Sequence, residues 1–459
     1  MAHRSLNVVK AHWRFFSTLK PSAREVNSNS KMELKSVINA LTRMTPEEMH
    51  KKMRDMVGLT DDDMKALAPL LDENDPGIFE HEPSPDDDVR THVQVGDSQC
   101  LLTGYLKRRL EHIPGFPRPV KETGSAYRIS STLHRGIGMF AARRLKTGDL
   151  VADERPLMVF PMGPSTDLNV ITPITKMTDE KRNNLLNCYS QEMMGSIFER
   201  MSEENQETFM GLYNGRLQNG PLLGVTRTNG YGLEDALKDE TEIANLLSMM
   251  SSNNQVLKSM IGRYVAVFKD LSRVNHSCSP NVHRKFHMAT FSMQLRAARD
   301  IEEGEEIFTY YTQILLPAVD RAEGLAPYGI ECTCRACLDT AKSDPIRAAV
   351  LNYAPPALLT SDARIDAAVQ ILAKIEEEEL QASAPYRDTL YHLFTAYALT
   401  RDEKSALMYG EKLWLANLAA GEPLCEMFRN AELLKKSPQW MSAELVAMPE
   451  RLVSLWNSS

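Results

Sequence analysis

Cysteine is scarce in this chain: seven in 459 residues, too few and too unevenly spread for a secreted disulfide framework. Three of them crowd into residues 332–337, which points to metal binding in a reducing, intracellular compartment. A basic excess is also lacking. The formal net charge of −8 has the wrong sign for a general nucleic-acid binder, although it leaves room for a local charged groove. No apolar run approaches the length that spans a bilayer, so a soluble protein with no membrane contact is expected. Core-forming material is ordinary, at 43% hydrophobic and 25% charged. The length exceeds one compact core and implies two or three domains.

The first 30 residues stand apart. Arg4, Lys10, Arg14, Lys20 and Arg24 all precede the first acid, Glu25, with Leu6, Val9, Trp13 and Phe16 between them. An acid-free amphipathic start of this kind resembles a mitochondrial transit peptide; a disordered basic tail is the alternative. Residues 31–71 read as a helical arm, with "TPEE" and "TDDD" as helix starts. Residues 72–98 are acidic, Pro/Gly-punctuated linker text, and 99–124 read as a helix over about 99–112 and a Pro-rich connection. From Ala126 short apolar pieces ("YRIS", "GMFAA", "DLVADE", "LMVF") alternate with Gly turns, as strands do. A helical insertion is expected at about 163–262, and strands resume at "NVHRKF" and "ATFSMQLRAA". The 125–314 unit is thus β-rich with an insert, 315–340 carries the cysteines, and 341–459 is helical. In that tail Ile365, Ala368, Val369, Leu372 and Ile375 form one apolar stripe. Leu390, Leu393, Phe394, Tyr397 and Ala398 form a second, and Ala406, Gly410 and Leu413 a third. The last two make a helix pair about the size of one tetratricopeptide unit.

Three motifs carry chemistry. In "HRGIGMFAARRLKTGDLV" (134–151) two glycines bracket Ile137, where backbone could approach a ligand; taken alone it reads more simply as a hairpin turn, since Gly-rich turns are common in strand text. In "LSRVNHSCSPNV" (271–282) Asn, His, Ser and Cys are packed too densely for core, since each buried polar group needs a partner. A polar loop at an amino-acid-like ligand explains it, with a solvent loop as the bland alternative. The third is "EEGEEIFTYYTQ" followed by "YGIECTCRACL". Cys332, Cys334 and Cys337 have the close spacing of a zinc corner, and Cys278 is the natural fourth ligand of a tetrahedral site. A redox pair and unliganded thiols are the alternatives.

"RGIG", "NHSCSPN", "GEEIFTYY" and "CTCRAC", in this order, resemble the SET-domain methyltransferases over about residues 125–340, and most closely the SET/MYND branch. The resemblance implies an α+β fold: a β-rich SET unit with a helical insertion, a zinc-bound post-SET segment and an α-helical, TPR-like C-terminal domain. It implies transfer of a methyl group from S-adenosyl-L-methionine to a protein lysine, histone or non-histone, with Zn(2+) in a structural role. Arg135, Gly136 and Ile137 would lie along the cofactor by backbone contact. Asn229 in "RTNGYG" resembles the insert's cofactor asparagine, and Ser272, Asn275 and His276 would hold the amino-acid and adenosine parts.

Tyr311 matches the catalytic tyrosine that ends the GEE[IL] pattern, and Tyr328 the aromatic at the substrate channel and cofactor edge. Tyr310 is one residue early and would face the other way. The branch also shares the NHSC cysteine with the zinc, so the implied ligands are Cys278, Cys332, Cys334 and Cys337. One departure is plain. Residues 160–262 contain only Cys188 and the 11 histidines form no matching cluster, so the second zinc module of the branch is expected to be absent. No specific nucleic acid is expected; any protein partners are expected on the C-terminal helices, whose apolar stripes read first as core. Location is expected to be cytoplasmic or nuclear, or mitochondrial if the N-terminus is a transit peptide. Two other readings are a catalytically inactive SET fold that binds peptide and a zinc-stabilised helical scaffold.

Overall fold

The computed structural model describes residues 89–163, 178–233, 262–354 and 362–441, together with Ser84, Asp86, Asp87 and Leu237. The expected transit segment, helical arm and most of the acidic linker lie outside the described residues.

The first elements correct one expectation. Residues 90–103 form a hairpin, β1 (Arg90–Val95) and β2 (Ser98–Thr103), and not the end of a linker and the start of a helix. The hairpin turns through Gly96-Asp97, where Gly96 has φ +58°, a left-handed conformation that costs glycine little. Helix α1 (Gly104–Glu111) begins only at Gly104, capped by the Thr103 hydroxyl, which accepts from the Leu106 N–H. The apolar run Cys100-Leu101-Leu102 is buried on both faces in β2, and periodicity alone does not separate such a run from helix.

Strands β3 (Tyr127–Ser131), β4 (Ile137–Ala141), β5 (Leu150–Glu154) and β6 (Met158–Pro161) follow, as the alternating text predicts. The insertion supplies α2 (Asp179–Phe198), α3 (Glu203–Met210) and α4 (Pro221–Asn229). Thr178 and Ser202 cap the first two, and Pro221 starts the third, where its missing N–H costs nothing. Then come β7 (Tyr231–Gly232), β8 (Tyr264–Val267), β9 (Asn275–His276), β10 (Val282–His287), β11 (Ser292–Ala297) and β12 (Glu306–Thr309).

Three sheets result, ordered β1-β2-β6-β8-β7, β10-β11-β5 and β3-β4-β12-β9. Their inward faces share one core that includes Leu106, Met139, Val151, Phe268, Val274 and Ile307. The insertion packs Met194, Ile197, Phe209 and Leu223 against Met158, Phe160 and Val267 of the first sheet.

Beyond β12 the regular structure of the described residues is helical and includes α5 (Ala318–Leu325), α6 (Arg335–Leu338), α7 (Thr340–Leu351), α8 (Asp362–Glu377), α9 (Ala384–Leu399) and α10 (Glu403–Ala420). The three apolar stripes of the sequence form their core, with Val369 and Tyr397 only partly buried at its edge. Gly410 is there for space: a Cβ would lie 2.1 Å from the Phe428 carbonyl oxygen. Tyr310, Ile314 and Leu315 join this second core, and Lys285 on β10 donates to the Gly421 carbonyl. The helical domain is therefore packed onto the strand unit. No described helix is long and apolar enough to cross a membrane.

Candidate active site

The polar loop of residues 268–281 is the centre of the molecule's unused chemistry, and its position is set by main-chain pairing. Strand β9 runs parallel to β12, with Asn275 opposite Phe308 and His276 opposite Thr309. Fully buried Asn281 extends the pairing: its side chain accepts from the Phe308 N–H at 2.7 Å and donates to the Glu306 carbonyl at 2.9 Å. A side-chain amide here completes a strand edge that would otherwise hold unpaired backbone groups.

Glu306 ties the first two motifs together. One carboxylate oxygen accepts from Asn275 Nδ2 at 2.8 Å and the other from Arg135 at 3.0 Å. Asn275 also donates to the Ile137 carbonyl at 3.3 Å. Gly138 permits this approach, since a Cβ would stand 2.7 Å from Glu306 Oε1 and 3.0 Å from Asn275 Nδ2. Arg135 and Ile137 are thus brought to Asn275. Gly136 adopts φ +74°, and a Cβ there would meet nothing within 4 Å; its carbonyl accepts from Thr132. Ile137 is 46% exposed, so this edge of β4 presents backbone and an apolar side chain to open space.

A second set holds the loop from behind. The Ser272 hydroxyl accepts from the Phe268 N–H and donates to the Asn229 carbonyl. Asn229 donates to the carbonyls of Tyr213 and Val225, both at 2.7 Å. The Tyr231 hydroxyl donates to the Leu271 carbonyl. Glu154, at the end of β5, accepts from three successive N–H groups, those of Lys269, Asp270 and Leu271. Burial pushes its carboxyl pKa up to about 7, with those N–H bonds pulling the other way. Both oxygens are in use, so Glu154→Gln turns an NH₂ toward a backbone N–H. The expected cost is about 1–3 kcal/mol, read as a fall in chemical-denaturation midpoint; an unchanged midpoint would show that the cradle is dispensable.

The third set is aromatic. The Tyr311 N–H donates to His276 Nδ1 at 3.0 Å, and the Tyr311 hydroxyl donates to the Val274 carbonyl at 2.7 Å. An accepting Nδ1 places the ring proton on Nε2, 3.4 Å from Cys278 Sγ. Burial, ahead of nearby charges, lowers the His276 pKa to about 4, so the ring is neutral and fully engaged inside the protein. The Tyr311 ring lies 5.2 Å from that of Tyr328, in the short 3₁₀ turn Ala326–Tyr328. Burial pushes the Tyr311 phenol above its ordinary range. Tyr310 does face the other way: its ring joins the helical core and the Arg284 guanidinium lies 4.5 Å from its centroid.

The four cysteines converge. The sulfurs of Cys278, Cys332, Cys334 and Cys337 all lie within 4.8 Å of one another, Cys278 being 3.5 Å from Cys337 and 4.0 Å from Cys332. A tetrahedral zinc with bonds of about 2.3 Å requires sulfur–sulfur spacings of about 3.8 Å, so the donor set fits that ion. Sharing of its proton with Cys332 and Cys334, and then burial, pushes the Cys278 thiol well above the usual range. Four ionised thiols this close need a cation.

Two fully buried arginines brace the cluster. Arg321 donates to Cys337 Sγ at 3.6 Å and pairs with Asp344. Arg347 on α7 donates to the carbonyls of Cys278 and Ile314, to Ser279 Oγ and to the Glu378 carboxylate. The helical domain thereby grips the cysteine loop directly.

The SET domain family matches residues 136–312, the span that contains β4, the insertion, the polar loop and Tyr311. The chain carries a SET domain. Among curated proteins, N-lysine methyltransferase SMYD2-B of Danio rerio is 40% identical over 74 residues, covering 16% of this chain and 17% of that protein. N-lysine methyltransferase SMYD2 of Homo sapiens is 28% identical over 175 residues, covering 32% and 39%. The chain therefore spans well under half the length of these curated relatives. A solved structure of Rubisco LSMT bound to AdoMet aligns at 14% identity and a TM-score of 0.23, over 72% of this chain and 89% of that one.

Within the SET domain, Glu154, Asn281, Arg284 and Glu306 hold the site's parts in place and were not among the residues read from the sequence as functional. Asn281 ends the "NHSCSPN" motif, and that density of polar residues was the available signal. Glu306 lies in the acidic turn of "EEGEE", and nothing in that text marks its carboxylate as the tie between Asn275 and Arg135.

Proposed function

We propose that this chain is an S-adenosylmethionine-dependent protein-lysine N-methyltransferase whose catalytic tyrosine is Tyr311. The observation that supports the reading most is the locked pose of Tyr311. Its N–H is bonded to a neutral His276 ring and its hydroxyl to the Val274 carbonyl, one residue from Asn275.

When bound, S-adenosylmethionine would supply a methyl group on a positively charged sulfur, and the neutral lysine nitrogen forms the new C–N bond as the old bond's electron pair returns to sulfur. Asn275 fits the cofactor's ammonium end, because its amide nitrogen is occupied by Glu306 and Ile137 while its oxygen makes no bond to another described residue. The exposed edge of Arg135, Gly136 and Ile137 fits close backbone contact. Asn229 and Ser272 set the height of the loop beneath, and His276 acts through its main chain, its ring being committed inward.

Lysine with a free pKa of about 10.4 is almost wholly protonated at neutral pH. Burial between Tyr311 and Tyr328 disfavours the ammonium and helps it shed a proton to solvent. The phenol of Tyr311 donates its proton to Val274, so its oxygen lone pairs are left to position the reacting groups. The aromatic faces tolerate the positive charge of the methylated product. Alignment supplies most of the acceleration, with no carboxylate base.

Cys278, Cys332, Cys334 and Cys337 would hold a zinc whose role is structural, since four thiolates leave no position open for water or substrate. It orders the segment after Tyr328. Residues 315–340 correspond on this reading to a post-SET segment, and α8–α10 to a TPR-like domain. Titration calorimetry of S-adenosylmethionine into zinc-loaded full-length protein tests the first requirement. Saturable one-to-one binding is expected, and absence of binding overturns the enzyme reading.

A further inference from the structure

The rim beside Tyr328 carries a feature that the methyl-transfer reading leaves unused. Residues 213–217, between α3 and α4, form a tightly held loop. Asn229 donates to the Tyr213 carbonyl, the Thr228 hydroxyl accepts from the Gly215 N–H, and Asn214 Oδ1 accepts from the Arg216 N–H. Gly224 exists to let the loop sit down, as a Cβ there would stand 2.4 Å from Asn214 Oδ1. Held this way, the loop presents Tyr213 and Leu217, 73% and 78% exposed. It also lays the Arg216 guanidinium 5.4 Å from the Tyr328 ring centroid.

Among the described residues nothing compensates the charge there. Arg216 Nε is buried without a hydrogen-bond partner. The neighbouring Arg227 is held, among the described residues, only by the neutral amides of Asn219 and Asn187. Burial, and then the charge of Arg216, pull its pKa below the ordinary value. Among the described residues no carboxylate pairs with either arginine. A guanidinium laid on an aromatic ring, close enough to a second arginine for their charges to interact, is a poor structural arrangement and a good anion-binding one, because planar donors match a carboxylate.

We propose that Arg216 determines substrate specificity by binding a carboxylate of the target protein close to the methylated lysine. The acceptor segment is thus an acidic peptide, with apolar contacts from Tyr213 and Leu217. The proposal rests on the methyltransferase reading for the place of the lysine. From the Tyr311 ring to Tyr328 is 5.2 Å and from there to Arg216 5.4 Å, roughly the reach of three residues of extended chain. The acidic residue is therefore expected within three positions of the lysine.

The test uses zinc-loaded full-length protein and a peptide set with a central lysine, fixing Glu, Gln or Lys in turn at each of the three flanking positions on either side. Tritium transfer gives kcat/KM for each peptide, and fluorescence anisotropy gives affinity for the same peptides with norleucine in place of the central lysine. Glu is expected to exceed Gln by about 5- to 10-fold at one or more positions in both measurements. Arg216→Gln should bring that ratio to near one, Arg216→Glu should invert it in favour of Lys, and Arg216→Lys should retain part of it. A Glu/Gln ratio of one in the native protein, or a ratio that survives in Arg216→Gln of unchanged melting temperature, overturns the proposal. The anisotropy arm needs no turnover. Glu-dependent binding without transfer therefore supports the Arg216 rim as a carboxylate site while counting against the catalytic reading, and transfer without Glu dependence does the reverse.

Discussion

Tyr311→Phe should lower methyl transfer on the order of 100-fold while leaving S-adenosylmethionine affinity within about twofold. The hydroxyl is the only part of Tyr311 that the substitution removes. The main-chain bond to His276 stays, and so does the ring beside Tyr328. What is lost is the 2.7 Å bond to Val274 and with it the oxygen that aligns the reacting groups. Tyr310→Phe is the matched control, since that ring packs among the C-terminal helices and beside Arg284, and it should change transfer little.

The pH profile separates alignment from base catalysis. Burial raises the phenol's pKa; an acid whose pKa is raised keeps its proton to higher pH, so Tyr311 stays neutral throughout pH 7–9. At sub-saturating peptide the rate should then climb about tenfold per pH unit, following the free lysine with its pKa of about 10.4, in native protein and in Tyr311→Phe alike. Single-turnover tritium transfer measures both profiles. A plateau that disappears in Tyr311→Phe would mean that the phenolate acts as a base.

The second large effect falls far from the reacting groups. Arg347→Met should destabilise the zinc-loaded protein by roughly 3–5 kcal/mol, because it strands the buried Glu378 carboxylate without its partner. It also strips donors from the Cys278 and Ile314 carbonyls and from Ser279, the bonds that join α7 to the cysteine loop. Zinc release to a chromogenic chelator should accelerate in the variant, and limited proteolysis should open the C-terminal helices and the 278–337 region together. Arg347→Lys should rescue only partly, since one ammonium cannot reach four acceptors on separate strands of chain. A loss of stability below about 1 kcal/mol, with unaltered zinc release, would show that the arginine does not couple the two regions.

How far the sequence could be read depends on the range of the interaction. The strand text of 126–161 and 282–297 and the three helical stripes after 362 are local signals of alternation and period, and they appear as strands and helices in the structure. The convergence of four cysteines was legible because thiolate spacing is itself a local pattern, with Cys278 supplied by the need for a fourth ligand. Residues 98–103 misled because a strand buried on both faces has no alternation to reveal it. Glu154, Glu306, Arg284 and Arg347 are ordinary charged residues in the one-dimensional text. Each acquires its meaning from a partner that only folding brings near, 31 residues away for Glu306 with Asn275 and 69 for Arg347 with Cys278. The same holds for Arg216, which becomes notable only because no carboxylate of a described residue pairs with it.

The most direct measurement is transfer of tritium from methyl-labelled S-adenosylmethionine to a proteome extract by zinc-loaded full-length protein, with the labelled amino acid identified after hydrolysis. The account predicts label in methyllysine, lost in Tyr311→Phe and retained in Tyr310→Phe. Bound cofactor with no labelled lysine, or label that persists undiminished in Tyr311→Phe, would contradict it.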